Sequence, residues 1–182
     1  MTSRQKFIGV LPLENVPEIA LKVIAAHISG YFDLPAKILP RFKPPEHAFD
    51  QRRLQYDAGK ILKALESMEF NSCEKAIGVL RSDLYIPIFE YVFGEARQGE
   101  RCAVVSLFRL DKNPDGSSPS ASLIHERAAK VALHELGHLY GLVHCEHKNC
   151  LMHFSGGLED LDTTPVFLCR YCSSYLSYNI SH

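Results

Sequence analysis

The chain has no apolar run of membrane-spanning length. A bilayer crossing needs roughly 20 consecutive apolar residues. The run near the N-terminus, Phe7–Leu13, is short, is interrupted by Pro12 and is followed by Glu14. It is equally unsuited to a secretory signal, so a cytoplasmic location is expected. An excess of charge is missing too. Lys and Arg number 20 against 21 Asp and Glu, for a formal net charge of -1, which argues against a nucleic-acid or membrane partner. There is no internal repeat and no low-complexity tract, so the chain is not a repeat array. What remains is 182 residues, 46% hydrophobic and 23% charged, enough for one domain with a real core.

Hydrophobic patterning predicts a mixed α/β fold. Phe7–Leu13 is expected to be a buried first strand. Asn15 is expected to cap a helix with Pro17 in its first turn, its apolar face carrying Ile19, Ala20, Val23, Ile24 and His27, and Gly30 ending it. Leu34–Leu39 suggests a second strand between two prolines. Asp50 is expected to open a helix through Leu54, Ala58, Ile61, Leu62 and Leu65 to Met68. Strands are expected at Ala76–Leu80, Tyr85–Phe93 and Cys102–Leu110. Pro87 puts the Tyr85–Phe93 strand at a sheet edge, because proline cannot donate to a ladder. A polar loop, Asp111–Ser122, precedes a long helix from Leu123 to about Leu139. Alternating strands and helices imply a mixed, mostly parallel twisted sheet with packed helices.

Chemistry concentrates in Leu133–Phe154, LHELGHLYGLVHCEHKNCLMHF. His134 and His138 are one helical turn apart and project from one face, so both imidazoles can grip one ion. Glu135 lies about 100° round the helix, placed to reach water without ligating the metal. Gly141 suits the left-handed bend that ends a helix, and His144 follows as a third nitrogen ligand. Three histidines with an open fourth position are the arrangement of a catalytic zinc, which lowers the pKa of bound water to roughly 7. The string H-E-x-x-H-x-x-G-x-x-H fixes five positions and is the metzincin signature. The competing possibility is a degenerate relative in which Glu135 is inert.

Cysteine is confined. Four of six, Cys145, Cys150, Cys169 and Cys172, fall in the last quarter of the chain. Two paired knuckles build a closed, structural tetrahedral thiolate site. The alternatives are two disulfides or a redox C-x-x-C pair. His147 and His153 are spare as ligands in this scheme. Cys73 and Cys102 stand alone and are expected to be buried as small hydrophobes.

Taken together, HELGHLYGLVHC (His134–Cys145), Cys150, Met152 and Cys169-Arg-Tyr-Cys172 resemble the archaemetzincin family. The resemblance implies a minimal zinc metallopeptidase. In it His134, His138 and His144 hold a catalytic zinc, Glu135 is the general base, and Cys145, Cys150, Cys169 and Cys172 hold a structural zinc. Met152 then belongs to a methionine turn beneath the catalytic ion. The family also places an antiparallel edge strand above the cleft, for which Tyr85–Phe93 is the candidate; a peptide substrate would add a strand there.

The expected organisation is one metallopeptidase-like domain over 1–182. Within it, 1–122 form a sheet and helix scaffold, 123–144 the active-site helix with the third ligand, and 145–182 a zinc-bound segment. Two further classes compete: a catalytically silent, zinc-stabilised binding module, and a zinc hydrolase of non-peptide amides. A nucleic-acid-binding zinc protein would use the basic residues Arg41, Lys43, Arg52 and Arg53, which the near-neutral charge disfavours. Tyr140, Tyr171, Tyr175 and Tyr178 are assigned to packing or solvent rather than to catalysis.

Overall fold

A computed structural model describes residues 5–154 and 156–181; the ends of the expected domain, residues 1–4 and 182, lie outside them. The central sheet has five strands in the order β2-β1-β5-β8-β7. These are β1 (Phe7–Pro12), β2 (Ala36–Ile38), β5 (Cys73–Leu80), β8 (Cys102–Ser106) and β7 (Gly94–Ala96). Pairings β1–β2, β1–β5 and β5–β8 are parallel, and β7 runs antiparallel to β8 at the edge. The fold is thus the expected mostly parallel sheet with an antiparallel edge strand. A second, smaller sheet joins β3 (Phe49–Asp50), β4 (Gln55–Asp57) and β6 (Asp83–Tyr85).

Strand alternation sorts the core into two layers. Ile8, Val10, Ile77, Val79, Ala103 and Val105 face one side, with α1 (Glu18–Phe32) and α3 (Ala121–Leu139) packed over them. Phe7, Leu11, Ala76, Leu80, Cys102 and Val104 face the other, under α2 (Ala58–Glu66). Each fully buried Ile, Leu or Val contributes about 1.5–3 kcal/mol before entropy is counted, so the sheet is a rigid base for the end of α3. Cys73 and Cys102 are buried here as free thiols. Two short C-terminal helices follow, α4 (Leu158–Thr163) and α5 (Arg170–Ser181). Among the described residues no helix is long and apolar enough to cross a membrane.

Several local expectations are corrected. Helix α1 starts at Glu18 with Pro17 at its N-cap and no side-chain cap, so Asn15 does not cap it. It also runs past Gly30 to Phe32 and closes on Asp33, whose φ of 52° is left-handed. Its buried face carries Ile28 and Phe32 while Ile19 and His27 are exposed. Asp50 does not open α2: its carboxylate accepts from Arg52 N and Arg53 N in a turn, and Asp57 is the cap, accepting from Lys60 N. Leu54 therefore lies outside the helix, exposed, at φ 55°. Strand β8 ends at Ser106 rather than Leu110. Tyr85–Phe93 is not one strand. Tyr85 closes β6, Pro87 sits in a turn where Phe89 N donates to Ile86 O, and the edge strand is the following Gly94–Ala96.

Candidate metal centres

Helix α3 is set by Ser120, whose hydroxyl accepts from Leu123 N, and it ends as the glycine predicts. Gly141 has φ 87°. Leu142 N donates to Gly137 O at 3.0 Å and Gly141 N to His138 O at 2.9 Å, which is the left-handed termination that satisfies a helix's last carbonyls. The bend returns the chain across the helix end and brings His144 to His134 and His138. Ring centroids lie 4.8 Å (134–138), 5.3 Å (134–144) and 4.9 Å (138–144) apart.

The tautomers follow from the neighbours. His134 Nδ1 is 2.9 Å from Leu151 O and His138 Nδ1 is 2.8 Å from Leu142 O. A carbonyl only accepts, so each Nδ1 carries its proton and each Nε2 presents a bare lone pair. Those two Nε2 atoms face each other at 3.1 Å. Two lone pairs at that distance repel unless a cation lies between their axes. A tetrahedral ion with zinc–nitrogen bonds near 2.0–2.1 Å would set them about 3.3 Å apart. Burial pushes His134 down to about 3, aided by His138, and depresses His138 and His144 as well. All three rings are therefore held neutral, the state that ligates metal.

Glu135 is 8% exposed and lies against the edge strand: a Cβ added to Gly94 would come within 2.7 Å of Glu135 Cγ and 2.8 Å of its Oε1. Burial first, and then the charge of Glu95, raise its pKa well above the usual carboxylate range. Beneath the helix, Met152 is fully buried, and a Cβ on Gly137 would meet its Sδ at 2.6 Å. The histidine cluster opens into a cleft of about 510 Å³ whose walls include Phe93, Val131, Leu151, Phe154 and Leu161.

The four C-terminal cysteines also converge. Cys145, Cys150, Cys169 and Cys172 have sulfurs all within 4.8 Å of one another, and all are free thiols. Cys145 Sγ and Cys169 Sγ are 3.8 Å apart, too far for a disulfide bond of about 2.05 Å. About 3.8 Å is the edge of a tetrahedron with roughly 2.3 Å zinc–sulfur bonds. The Cys172 N–H is the main influence lowering Cys169 to about 7. Both donor sets thus fit zinc.

Sequence reasoning passed over two roles. His153, counted as spare, has Nδ1 2.8 Å from Cys145 O, so it braces the loop between the clusters. Cys145 N also donates to Met152 O at 2.8 Å. Short-range spacing carries no trace of a bond that depends on the fold of the loop. His147 stacks on Tyr171 at 6.0 Å. Tyr140 is buried with its hydroxyl on Glu74, away from the cleft, while Tyr91, not singled out in the sequence, lines it.

The sequence pattern of peptidase family M54 matches residues 13–178. The chain belongs to this family, the archaemetzincins. It is 34% identical to the archaemetzincin of Pyrococcus abyssi over 182 residues, covering 94% of this chain and 95% of that one. It is 38% identical to that of Methanopyrus kandleri over 154 residues, covering 85% and 84%. The crystal structure of the Methanopyrus kandleri archaemetzincin superposes over 100% of both chains with a TM-score of 0.87 at 32% identity. That of the Archaeoglobus fulgidus archaemetzincin, complexed with malonate, covers 92% of this chain and 98% of its own, with a TM-score of 0.80 at 33% identity. As an archaemetzincin the chain is a zinc metallopeptidase, and among the described residues it has two candidate metal sites, one of three histidines and one of four cysteines.

Proposed function

We propose that the chain hydrolyses peptide bonds in the cleft at the end of α3. In this reading His134, His138 and His144 hold the catalytic zinc, and Cys145, Cys150, Cys169 and Cys172 hold a second, structural one. The observation that carries it is the pair of bare Nε2 atoms 3.1 Å apart, with His144 beside them, at the mouth of an open cleft.

Zinc, when bound, polarises the scissile carbonyl, acidifies water and stabilises the developing oxyanion. Glu135 takes a proton from the attacking water and later delivers it to the departing amine nitrogen. Its burial suits this, because a poorly solvated carboxylate has a high proton affinity. Gly94 leaves room for the carboxylate, since a Cβ there would meet Glu135 Cγ and Oε1. The peptide adds to the sheet along β7. Phe93 O accepts from Ser106 N at 2.8 Å, and Gly94↔Val105, Glu95↔Val104 and Ala96↔Ala103 follow in register. Antiparallel alternation then directs the backbone groups of Gly94 and Ala96 outward, to an incoming strand.

The remaining expectations accompany this reading. The chain acts as one unit, with 1–122 as scaffold, 123–144 as active-site helix and third ligand, and 145–182 as the segment tied by the structural zinc. The four free thiols suit a reducing compartment such as the cytoplasm. Metal counting by mass spectrometry on wild type, His138→Ala and Cys172→Ala tests the assignment. Two zincs in wild type, loss of the catalytic zinc in His138→Ala, and cleavage of a quenched fluorogenic peptide by wild type but not by Glu135→Ala are expected. A silent binding module would hold both zincs and cleave nothing.

A further inference from the structure

The upper rim of the cleft, Ile86–Phe93, has no regular structure beyond one isolated bridge, Ile86↔Phe89. It is nevertheless gripped from behind by a polar network. Gln55 on β4 and Asp83 on β6 stand opposite each other in the small sheet and are both buried. Gln55 Nε2 donates to Asp83 Oδ2 at 2.8 Å and to the rim carbonyl Glu90 O at 2.9 Å. Arg53 Nε donates to Gln55 Oε1 at 2.8 Å, and its Nη2 reaches Glu90 O at 2.9 Å and Phe89 O at 3.3 Å. Arg109 holds Asp83 with Nε at 2.9 Å from Oδ1 and Nη2 at 2.6 Å from Oδ2. The two guanidinium groups also cover rim and flanking rings, Arg109 over Tyr91 at 3.9 Å and Arg53 over Tyr85 at 4.1 Å.

Glu90 O therefore receives two donors, one for each lone pair. A trans peptide sets its N–H opposite its C=O, and among the described residues there is no cis peptide bond. Fixing Glu90 O consequently fixes the direction of the Tyr91 N–H, which has no hydrogen-bond partner among the described residues. Two residues on, Phe93 enters the ladder with β8, and Gly94 begins the edge strand. We infer that Arg53, Gln55 and Asp83 are positioning residues for substrate: alongside Leu84 O, which accepts from Val92 N at 2.9 Å, they clamp the Glu90 peptide so that the Tyr91 N–H is presented on the rim beside the peptide-pairing edge of β7. The inference rests on the peptidase reading. It also gives the small sheet a task, holding a rim that has little regular structure of its own, and it removes Arg53 from the basic cluster considered for nucleic acid.

Gln55→Met keeps the volume and removes the donor to Glu90 O; Arg53→Ala removes the second donor; Arg53→Lys keeps the charge and a single donor head. The first arm is hydrogen exchange on the zinc-loaded protein, which reads the clamp whether or not peptides are cut. The rim amides that are hydrogen-bonded, Phe89 N to Ile86 O and Val92 N to Leu84 O, are expected to exchange at least about tenfold faster in Gln55→Met and Arg53→Ala, with α3 unchanged. The second arm is steady-state cleavage of a quenched fluorogenic peptide. KM is expected to rise about tenfold with kcat within twofold, zinc content to stay at the wild-type value, and Arg53→Lys to recover part of the change. Unchanged exchange overturns the clamp. Faster exchange with unchanged KM, or a fall in kcat alone, overturns its role in substrate positioning. Failure of the wild type to cleave, with the exchange result intact, overturns the peptidase reading and the substrate role with it.

Discussion

His134 Nε2 and His138 Nε2 face each other at 3.1 Å with both Nδ1 protons committed to backbone carbonyls. The backbone thus selects the ligating tautomer and leaves two lone pairs that only a cation reconciles. Zinc should contribute directly to stability, because it binds the folded site and not the dispersed chain. At a free zinc concentration of 100 times Kd the gain is about 2.7 kcal/mol per site. For a chain of this size that corresponds to a fall in Tm of roughly 5–10 °C for each site emptied by chelation. Calorimetry before and after chelator treatment checks it, and an unchanged Tm after verified metal removal contradicts the lone-pair argument.

The metal-free protein should be acid-sensitive earlier than its carboxylates require. Burial lowers His134 from its ordinary 6.5 to about 3, and lowers His138 and His144 too. Below about pH 6.5 the unfolded chain takes up protons that the folded one refuses, so stability falls as pH drops from there towards about 3. At the other end, burial raises Cys102 from 9.0 to about 12. The unfolded thiol ionises first, so stability is lost again as pH rises from 9 towards about 12. Tm of chelated protein measured from pH 4 to 10 is expected to be highest near neutrality. Bound zinc should move the acid limit lower, because protons then compete with metal for imidazoles that are already hard to protonate.

Gly94→Ala tests the fit between the edge strand and Glu135, the proposed base. The added methyl would lie 2.7 Å from Glu135 Cγ and 2.8 Å from Oε1, so the carboxylate must move. A displacement of about 1 Å at a reacting group costs on the order of 100-fold in rate. The expected result is kcat down about 100-fold with zinc content unchanged. Wild-type kcat would show that Glu135 is not held by this contact.

The histidine site was legible in sequence because every part of it is local. His134, Glu135 and His138 depend only on helical spacing, and Gly141 is the residue a left-handed bend demands. The parallel core strands were legible because they are continuous apolar runs. The edge strand was not. Tyr85–Phe93 has the aromatic and β-branched content of a strand, whereas Gly94-Glu95-Ala96 has none. Its pairing is a hairpin with β8, from Ala96↔Ala103 to Gly94↔Val105, and no apolar pattern in the strand itself announces it. Asp50 misled for a related reason: its carboxylate caps a turn instead of a helix, and Asp57, seven residues on, does the same chemistry where α2 begins. The small sheet was missed because its strands are only two or three residues long and β4 meets β6 far along the chain, at Gln55↔Asp83.

The two metal clusters should be coupled through one loop. His144 and Cys145 are adjacent, Cys145 N donates to Met152 O, His153 Nδ1 holds Cys145 O, and Leu151 O fixes the tautomer of His134. Removing Cys145 or Cys172 should therefore release the structural zinc and also loosen the carbonyl and the imidazole that the catalytic site relies on. His153→Phe removes only the brace, a loss of about 1 kcal/mol for one hydrogen bond, and should leave both zincs bound while weakening catalytic zinc retention against a chelator. Cys145→Ala and Cys172→Ala should lower occupancy at both sites, with the catalytic zinc lost at chelator concentrations that wild type withstands. Independent retention of the catalytic zinc in both cysteine variants would show that the loop is ordered by packing around Cys150 and Met152 alone, and that the second metal serves the C-terminal segment only.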